Sequence, residues 1–383
     1  MAFLLYLICC IIELCSKKGC VNLLVDSIDV RPEQEKKYMP KMIYPGNISY
    51  TLKPSSLHAK VTDEIIPYLS FDPQKDFNEQ QTAVRERLLS LLKMPEKKTA
   101  PVPLIEWEDD HAVDFHEIRF HFESEPDFYV PAHLVLPKKR SGKLPVVICL
   151  QGHSKGMHVS MARADIGSKE VVKPAGDRDF ARQAVARGYA AVIMEQRGFG
   201  EQISDVAPQQ GCRMPAMQAL ALGRTLLGER VFDVSRLIDS LAHFEMLDMT
   251  RLGLMGNSAG GTTSYYTAAV DERVKVVMPS CAVGEFAYSF LKYNHCVCGF
   301  VPDFYTWFDM PDLALAIAPR PLVIVGGEHD EICEAESVWR AWENKIKPIY
   351  QAANSPQNCR LVMGAEGHRF YADLSWPVFD EYI

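Results

Sequence analysis

Six short and almost wholly apolar runs, each closed by glycine or proline, constrain the fold of this chain more than any other feature. The runs cover residues 146–150, 189–194, 251–255, 274–278, 321–325 and 359–363. Continuous apolar runs of this length are typical of strands that are buried on both faces of a mostly parallel sheet. Helical patterns lie between them, and such β-α alternation predicts an α/β fold with a twisted central sheet flanked by helices.

The helical patterns are clearest in two places. Apolar residues recur at helical spacing from Phe77 to Lys93, where Pro95 follows. A longer stripe runs from Leu220 to Leu241, with charged residues on its other faces. Both patterns predict amphipathic helices that pack on the sheet.

The chain of 383 residues divides into three parts by composition. We interpret residues 1–24 as an apolar leader or an extension outside the fold, because the apolar stretch Phe3 to Leu14 is too short to span a bilayer. Residues 25–124 are predicted to form an N-terminal extension that holds a helix and an edge strand over 116–123. Residues 125–383 are predicted to form the main α/β domain.

Charge and cysteine usage exclude some classes of protein and partner. The net charge is −8 without a basic stripe, so a nucleic-acid partner is not expected. No stable membrane span is expected either. The eleven cysteines include no Cys-x-x-Cys pair, so we interpret them as thiols in a reducing compartment. This favours a cytoplasmic location, with export as the alternative if residues 1–20 act as a signal.

One cysteine pair is a candidate metal site. Cys296 and Cys298 form a Cys-x-Cys beside His295. A zinc site needs four ligands, and the sequence offers no second ligand pair at suitable spacing. We therefore expect no metal and no cofactor.

The sharpest local motif is the G-x-S-x-G sequence from Gly256 to Gly260, with Ser258 at its centre. It directly follows a predicted strand and precedes a predicted helix. A nucleophilic serine is presented on such a strained strand-to-helix turn, and the flanking glycines allow the tight approach of the main chain. The sequence therefore predicts Ser258 as a nucleophile, the alternative being an ordinary glycine-rich turn.

A serine nucleophile needs a base and a carboxylate that orients it. Asp330 follows the apolar run 321–325, and His368 follows the last run. Their order after the serine and their places beyond strand ends predict a Ser258–His368–Asp330 triad. Glu328 is the alternative acid, and Glu366 is a weaker one because it lies on the loop of the histidine itself.

The oxyanion formed during such a reaction needs main-chain donors. The Ala259 N–H directly after the serine is one candidate. The loop after the first core strand, Gln151-Gly152-His153, supplies the other, with the His153 N–H as the predicted donor. For the ring of His153, a structural role is favoured over a catalytic one.

These motifs carry a family resemblance. Five segments of the chain resemble the α/β-hydrolase superfamily. They are the sequence Pro131 to Pro137, the Gln-Gly-His loop, the turn Glu195 to Glu201, the serine motif and the run Gly327 to Cys333. The nearest likeness is to its dienelactone hydrolase and acetyl xylan esterase/cephalosporin-C deacetylase branch. Gln151 departs from that branch, which usually has a His-Gly-Tyr-like sequence there. The resemblance implies an α/β-hydrolase catalytic domain over 125–383.

The activity implied by the resemblance is hydrolysis of small acyl esters, often acetyl esters of carbohydrates, by a serine esterase without a cofactor. A small-molecule ester is then the expected partner, and a homo-oligomer is left open. The alternatives are a serine peptidase of the prolyl-oligopeptidase type and a non-catalytic binding protein on the same scaffold.

The pocket residues are predicted less sharply. The segment 281–312 is dense in aromatic residues and interrupts the β-α alternation. We interpret it as a cap whose Phe286 and Trp307 line the substrate pocket, the alternatives being an extension of the core or a dimer contact. Arg197 is a candidate substrate contact, although a buried ion pair is the favoured interpretation.

Overall fold

The computed structural model describes residues 53–97, 99–110, 114–164, 168, 170–291 and 295–383, and Ser55–Ile383 forms one compact unit. The predicted leader, residues 1–24, lies outside the described residues. No helix among the described residues is both long enough and apolar enough to cross a membrane.

A nine-stranded sheet organises the described residues, in the order β1-β2-β3-β5-β4-β6-β7-β8-β9. The first four strands of this order pair antiparallel, and the pairs from β5 onward are parallel. The six apolar runs form β4 to β9, as predicted. The strands are β1 Leu104–Asp109, β2 Phe115–Glu125, β3 Phe128–Pro137, β4 Leu144–Leu150, β5 Ala190–Met194, β6 Leu247–Asn257, β7 Val276–Ser280, β8 Leu322–Gly327 and β9 Cys359–Gly364.

Helices cover both faces of the sheet. A π-helical turn, Trp342–Ile346, joins α9 to α10. The helices are α1 Pro54–Glu64, α2 Phe77–Leu92, α3 Phe180–Ala186, α4 Arg213–Ala221, α5 Leu226–Leu241, α6 Ala259–Val270, α7 Phe304–Trp307, α8 Ala314–Ile317, α9 Ala335–Ala341, α10 Lys347–Ala352 and α11 Ala372–Asp380.

The alternation of side chains along β4 shows why its run is apolar throughout. Val146 and Ile148 belong to a hydrophobic cluster that includes residues of α2, α5 and α6. Val147 and Cys149 belong to a second cluster with Phe180 of α3 and residues of α11. All four residues are buried, because successive side chains of a strand point to opposite faces and both faces are covered.

The N-terminal part of the main unit belongs to the same sheet. β1 and β2 pair with each other, and β2 pairs with β3 along almost its whole length. The compact unit begins at Ser55, and the residues on either side of the predicted 124/125 boundary both lie at the end of β2. The division of the chain at that point stays a prediction. The predicted strand over 116–123 lies within β2, whereas the sequence analysis did not identify β1.

The helical stripe from Leu220 to Leu241 is two helices rather than one. Gly223 has a φ of +73°, which ends α4, and Thr225 begins α5 as its N-cap. The Thr225 hydroxyl accepts a hydrogen bond from the Gly228 N–H at 2.9 Å and donates one to the Leu92 carbonyl at 2.7 Å. This buried hydroxyl thus joins the start of α5 to the end of α2.

Removing this hydroxyl should weaken the fold. We expect Thr225→Ala to lower the free energy of unfolding by about 1–3 kcal/mol, because it removes the cap and leaves the Leu92 carbonyl without its donor. Urea denaturation followed by circular dichroism measures the change. Thr225→Ser, which keeps the hydroxyl, should lose less than half as much. Equal losses in both variants would assign the effect to the methyl group.

Candidate active site

Ser258 lies at the tip of a sharp turn between β6 and α6. Its backbone has φ 56° and ψ −124°, a conformation that non-glycine residues rarely adopt. The Ser258 N–H donates to the Ser280 carbonyl at 2.8 Å, and the Thr262 N–H donates to the Ser258 carbonyl at 2.8 Å. These bonds hold the strained residue between the end of β7 and the first turn of α6.

Two glycines allow the main chain to close around the serine. A Cβ at Gly260 would lie 2.3 Å from the Leu150 carbonyl oxygen at the end of β4. A Cβ at Gly152 would lie 2.8 Å from the Cβ of Ser258. Since real Cβ atoms do not approach so closely, both positions require glycine. The Gln-Gly-His loop and the serine turn are therefore in main-chain contact.

Asp330 and His368 meet as the sequence predicted. Asp330 follows β8, and His368 lies in the loop after β9. The His368 Nδ1 lies 2.8 Å from one carboxylate oxygen of Asp330 and 3.0 Å from the other. The same carboxylate accepts the N–H groups of Ile332 and Cys333, each at 2.9 Å. These two N–H groups therefore fix the carboxylate independently of the ring that it orients.

The other ring nitrogen of His368 is buried and has no hydrogen-bond partner among the described residues, Ser258 included. With Nδ1 held by a carboxylate, Nε2 is the nitrogen that can accept a proton. Contacts between a base and its nucleophile are often long without substrate and tighten when substrate binds. An unpaired Nε2 is therefore what a general base shows when no substrate is bound.

The end of β7 connects the serine turn to the histidine loop. The Cys281 thiol, directly after Ser280, donates to the Arg369 carbonyl at 3.1 Å. Its sulfur also lies within 4.8 Å of the donor atoms of Asp330 and His368. Burial raises the pKa of Cys281 well above its ordinary value, so the thiol stays neutral. The sequence analysis missed this residue, because nothing around it marks proximity to Asp330 and His368.

The alternative acids lie elsewhere. Glu328 is exposed, whereas Asp330 is buried. Glu366 is also exposed, and its carboxylate pairs with Arg369 at 2.8 Å. Only Asp330 of these three is hydrogen-bonded to His368 in the described part of the chain.

The Gln-Gly-His loop is held firmly from within the protein. The Gln151 side chain donates to the Ser160 hydroxyl at 2.8 Å and to the Arg178 carbonyl at 2.7 Å. The Gln196 side chain donates to the Gln151 carbonyl at 2.6 Å. Gln151, the departure from the resembling branch, is therefore a buried anchor of this loop.

The two predicted oxyanion donors flank this contact. Ala259 is the first residue of α6, so its N–H has no acceptor within the helix. A Cβ at Gly152 would lie 3.5 Å from that nitrogen, which places the loop that carries His153 beside it. The positive end of the α6 dipole also lies at this point. The arrangement suits an oxyanion, and the roles of Ala259 and His153 stay predictions.

Known proteins give independent findings. The sequence profile of the Abhydrolase family matches residues 55–358. The chain is 26% identical over 244 residues to YtaP of Bacillus subtilis (strain 168), which carries a provisional hydrolase name, and the match covers 62% of this chain and 77% of that protein. The chain belongs to the Abhydrolase family.

Solved structures agree on the fold. A provisional acetyl xylan esterase of Bacteroides fragilis NCTC 9343 matches with a TM-score of 0.65 at 16% identity, over 82% of this chain and 83% of that one. A glucuronoyl esterase of Solibacter usitatus matches with a TM-score of 0.58 at 15% identity, over 87% of this chain and 97% of that one. The predicted α/β-hydrolase fold and the prediction of a hydrolase are confirmed.

Arg197 of this Abhydrolase-family chain is held by carboxylates. Its guanidinium bonds to Asp233 at 2.7 and 2.8 Å, and also pairs with Glu125 at 2.8 Å and Glu229 at 3.2 Å. It further lies over the ring of Phe128. This is the buried ion pair that the sequence analysis favoured, and Arg197 as a substrate contact stays a prediction.

Phe286 and Trp307, the predicted pocket residues, are engaged by the protein itself. The Phe286 ring is buried and stacks on Phe290 at 4.7 Å. Trp307 packs against Tyr68 at 5.2 Å and carries the Arg87 guanidinium over its ring at 3.6 Å. Both residues therefore contribute to packing. Their role in a pocket, and the segment 281–312 as a cap, stay predictions.

Groups of metal-ligating side chains occur at three places among the described residues. His133, His158 and Glu201 form one, but the Arg119 guanidinium bonds to both His133 and Glu201, which disfavours a cation there. Cys281, Asp330 and His368 form another group, in which Asp330 and His368 are joined by the hydrogen bond described above. The third group surrounds the ring of His153.

The pH dependence of stability tests the Asp330–His368 pair. Burial alone would raise the pKa of Asp330. The hydrogen bond from His368 and the amide donors nevertheless lower this pKa below its ordinary 3.8. Such a carboxyl stabilises the fold above its unfolded pKa, and this contribution is lost as the pH falls through the folded pKa. We expect Asp330→Asn to cost about 1–3 kcal/mol of unfolding free energy at neutral pH, and less in acid.

Urea titrations near neutral pH and in acid measure this difference. Glu328→Gln removes an exposed carboxylate two residues away and should change stability by less than about 0.5 kcal/mol. A cost of Asp330→Asn that stays constant with pH would contradict the assigned ionisation.

Proposed function

We propose that this protein is a serine carboxylic-ester hydrolase in which Ser258, His368 and Asp330 act as a triad. One observation carries the proposal. The His368 ring is held by a buried carboxylate at Nδ1, and its Nε2 is unpaired among the described residues, at the sheet edge where the strained Ser258 follows β6. Parallel strands bring β6, β8 and β9 to this edge with their carboxyl ends together.

The reaction follows from these positions. His368 Nε2 takes the hydroxyl proton of Ser258 as Oγ attacks the ester carbonyl carbon. The N–H groups of Ala259 and His153 bind the oxyanion of the tetrahedral intermediate. When the intermediate collapses, the imidazolium gives its proton to the leaving alcohol, and the acyl group stays on Oγ.

The second half of the reaction uses the same groups. Water gives a proton to His368 Nε2 as its oxygen attacks the acyl carbon. The carboxylic acid then leaves, and Ser258 regains its proton. Asp330 keeps the ring in the required tautomer and stabilises the imidazolium through both halves, without being protonated itself.

The substrate that we propose is a small acyl ester of a carbohydrate, with acetyl as the acyl group. Acetyl xylan esterase is the name carried by one structural relative, and the resemblance in sequence points to the same branch. The main chain of Gly152 packs against Ser258. The glucuronoyl esterase relative supplies the competing candidate, an ester whose acid part is a uronic acid.

The triad predicts the behaviour of three variants. We expect Ser258→Ala to lower kcat for p-nitrophenyl acetate by about 10³-fold or more and to abolish labelling by a fluorophosphonate probe. His368→Ala should do the same, and Asp330→Asn should lose less. Ser204→Ala, a serine away from the triad, is the control. Undiminished turnover by Ser258→Ala would overturn the proposal, and a wild type that never labels would favour the non-catalytic binding protein.

A substrate panel tests the acyl specificity. We expect acetylated xylose oligomers and p-nitrophenyl acetate to have a kcat/KM about tenfold or more above that of p-nitrophenyl octanoate, because a site that fits an acetyl group does not fit the longer chain and one methylene group alone changes binding by about 1–3 kcal/mol. A methyl ester of glucuronic acid and a peptide amide complete the panel. Preference for the glucuronate ester would replace the acetyl proposal, and cleavage of the amide would favour the peptidase.

A further inference from the structure

Four ligand-type side chains surround one point beside the predicted oxyanion loop. They are His153, Cys212, Cys296 and Cys298, and their donor atoms all lie within 4.8 Å of one another. Three thiols and one imidazole make a Cys₃His set, which is one of the common ligand sets of structural zinc. The triad chemistry uses none of these four side chains.

The distances within the cluster approach those of a tetrahedral zinc site. His153 Nε2 lies 3.3 Å from the Cys212 sulfur and 3.4 Å from the Cys298 sulfur, and the Cys212 and Cys296 sulfurs are 3.1 Å apart. Zinc bonds of about 2.3 Å to sulfur and 2.0 Å to nitrogen place ligand atoms roughly 3.5–3.8 Å apart. These three separations are therefore within about 0.7 Å of those in a zinc site, and the other three are at most 4.8 Å.

The ligands come from three separate segments. His153 follows β4, Cys212 directly precedes α4, and Cys296 and Cys298 lie at the turn Val297–Gly299. The Cys-x-Cys pair was visible in the sequence, but its second pair is assembled only by the fold. His295, the sequence neighbour, instead stacks its ring on Phe290 at 3.8 Å.

The surroundings suit a bound cation with access from solvent. Cys212 and Cys298 are buried, Cys296 is half-buried, and His153 is exposed at the outer side. The ring of His153 packs edge-on against Phe199 at 5.1 Å, which orients its Nε2 toward the sulfurs. Metal can thus enter past the imidazole, whereas the sulfurs are shielded.

We propose that His153 Nε2 and the sulfurs of Cys212, Cys296 and Cys298 bind one Zn²⁺ ion as a structural site. The three thiols lose their protons on binding, and the imidazole binds in its neutral form. Four protein ligands leave no open position, so the ion does not take part in ester hydrolysis as a Lewis acid. Its effect is to fasten the loop of His153 to the start of α4 and to the segment that carries Cys296.

Metal analysis tests the site directly. The wild type, purified in reducing buffer without chelator, should contain about one zinc per chain by inductively coupled plasma mass spectrometry. Cys298→Ser and Cys212→Ser should each lose most of it. Cys359→Ser is the matched control, because Cys359 is also a buried free thiol but is outside the cluster. Its zinc content should equal that of the wild type.

Cobalt substitution of the wild type keeps the test independent of whether the variants fold. Replacing zinc by Co²⁺ should give a thiolate-to-cobalt charge-transfer band and visible bands of tetrahedral intensity. Added zinc should raise the Tm of the metal-free wild type and of Cys359→Ser, but not of Cys298→Ser. Absence of both zinc and the cobalt bands in reduced wild type would overturn the proposal.

A second result would also overturn it. Peptide mapping under non-reducing conditions could find a disulfide between Cys212 and Cys296 in freshly purified protein, which would remove two of the ligands. The metal test does not depend on esterase activity. Ser258→Ala should bind zinc like the wild type, so failure of the proposed function and failure of the metal site give different results.

Discussion

The close approach of two main-chain segments governs the rest of this site. The end of β4 and the serine turn touch through positions without a Cβ, since a side chain at Gly260 would collide with Leu150 and one at Gly152 with Ser258. This approach lets Ser258 sit in a strained conformation, held by its bond to Ser280. The strain is tolerated because the packed sheet on both sides leaves the turn no alternative. Ser258, the proposed nucleophile, is therefore positioned by main-chain packing and main-chain hydrogen bonds.

The parts of the fold that were predicted correctly depend on local signals. A strand buried on both faces needs an apolar run whatever its neighbours are, so β4 to β9 could be identified from these local runs in the sequence. The contact between Asp330 and His368 could be predicted because each follows such a run, and parallel strands place those positions at one edge; their role with Ser258 as a triad stays a proposal. The hydrogen bond between Asp330 and His368 is the three-dimensional consequence of that rule.

The missed parts depend on contacts between residues far apart in sequence. β1 has a half-exposed, charged pattern, and only its pairing with β2 makes it a strand of the sheet. The stripe through Leu220 and Leu241 has helical spacing throughout, but Gly223 ends α4, and the Thr225 hydroxyl that begins α5 also bonds to Leu92, more than a hundred residues away. Cys212 carries no local mark of its contact with Cys296 either. Periodicity reports which face of an element is buried, and it cannot report what the element packs against.

The proposed zinc site and the buried Gln151 address the same physical problem. A loop with glycine at its centre gains close approach to the serine but loses conformational restriction. On one side of Gly152, the Gln151 side chain and main chain are bonded to Ser160, Arg178 and Gln196. On the other side, the ring of His153 would be fixed by the metal, and with it the N–H of the same residue. An oxyanion donor stabilises charge best when it is oriented before the charge appears. The Gln151 contacts and the proposed zinc ion would together supply that orientation to the proposed donor His153, without a side chain at the position where Ser258 leaves no room.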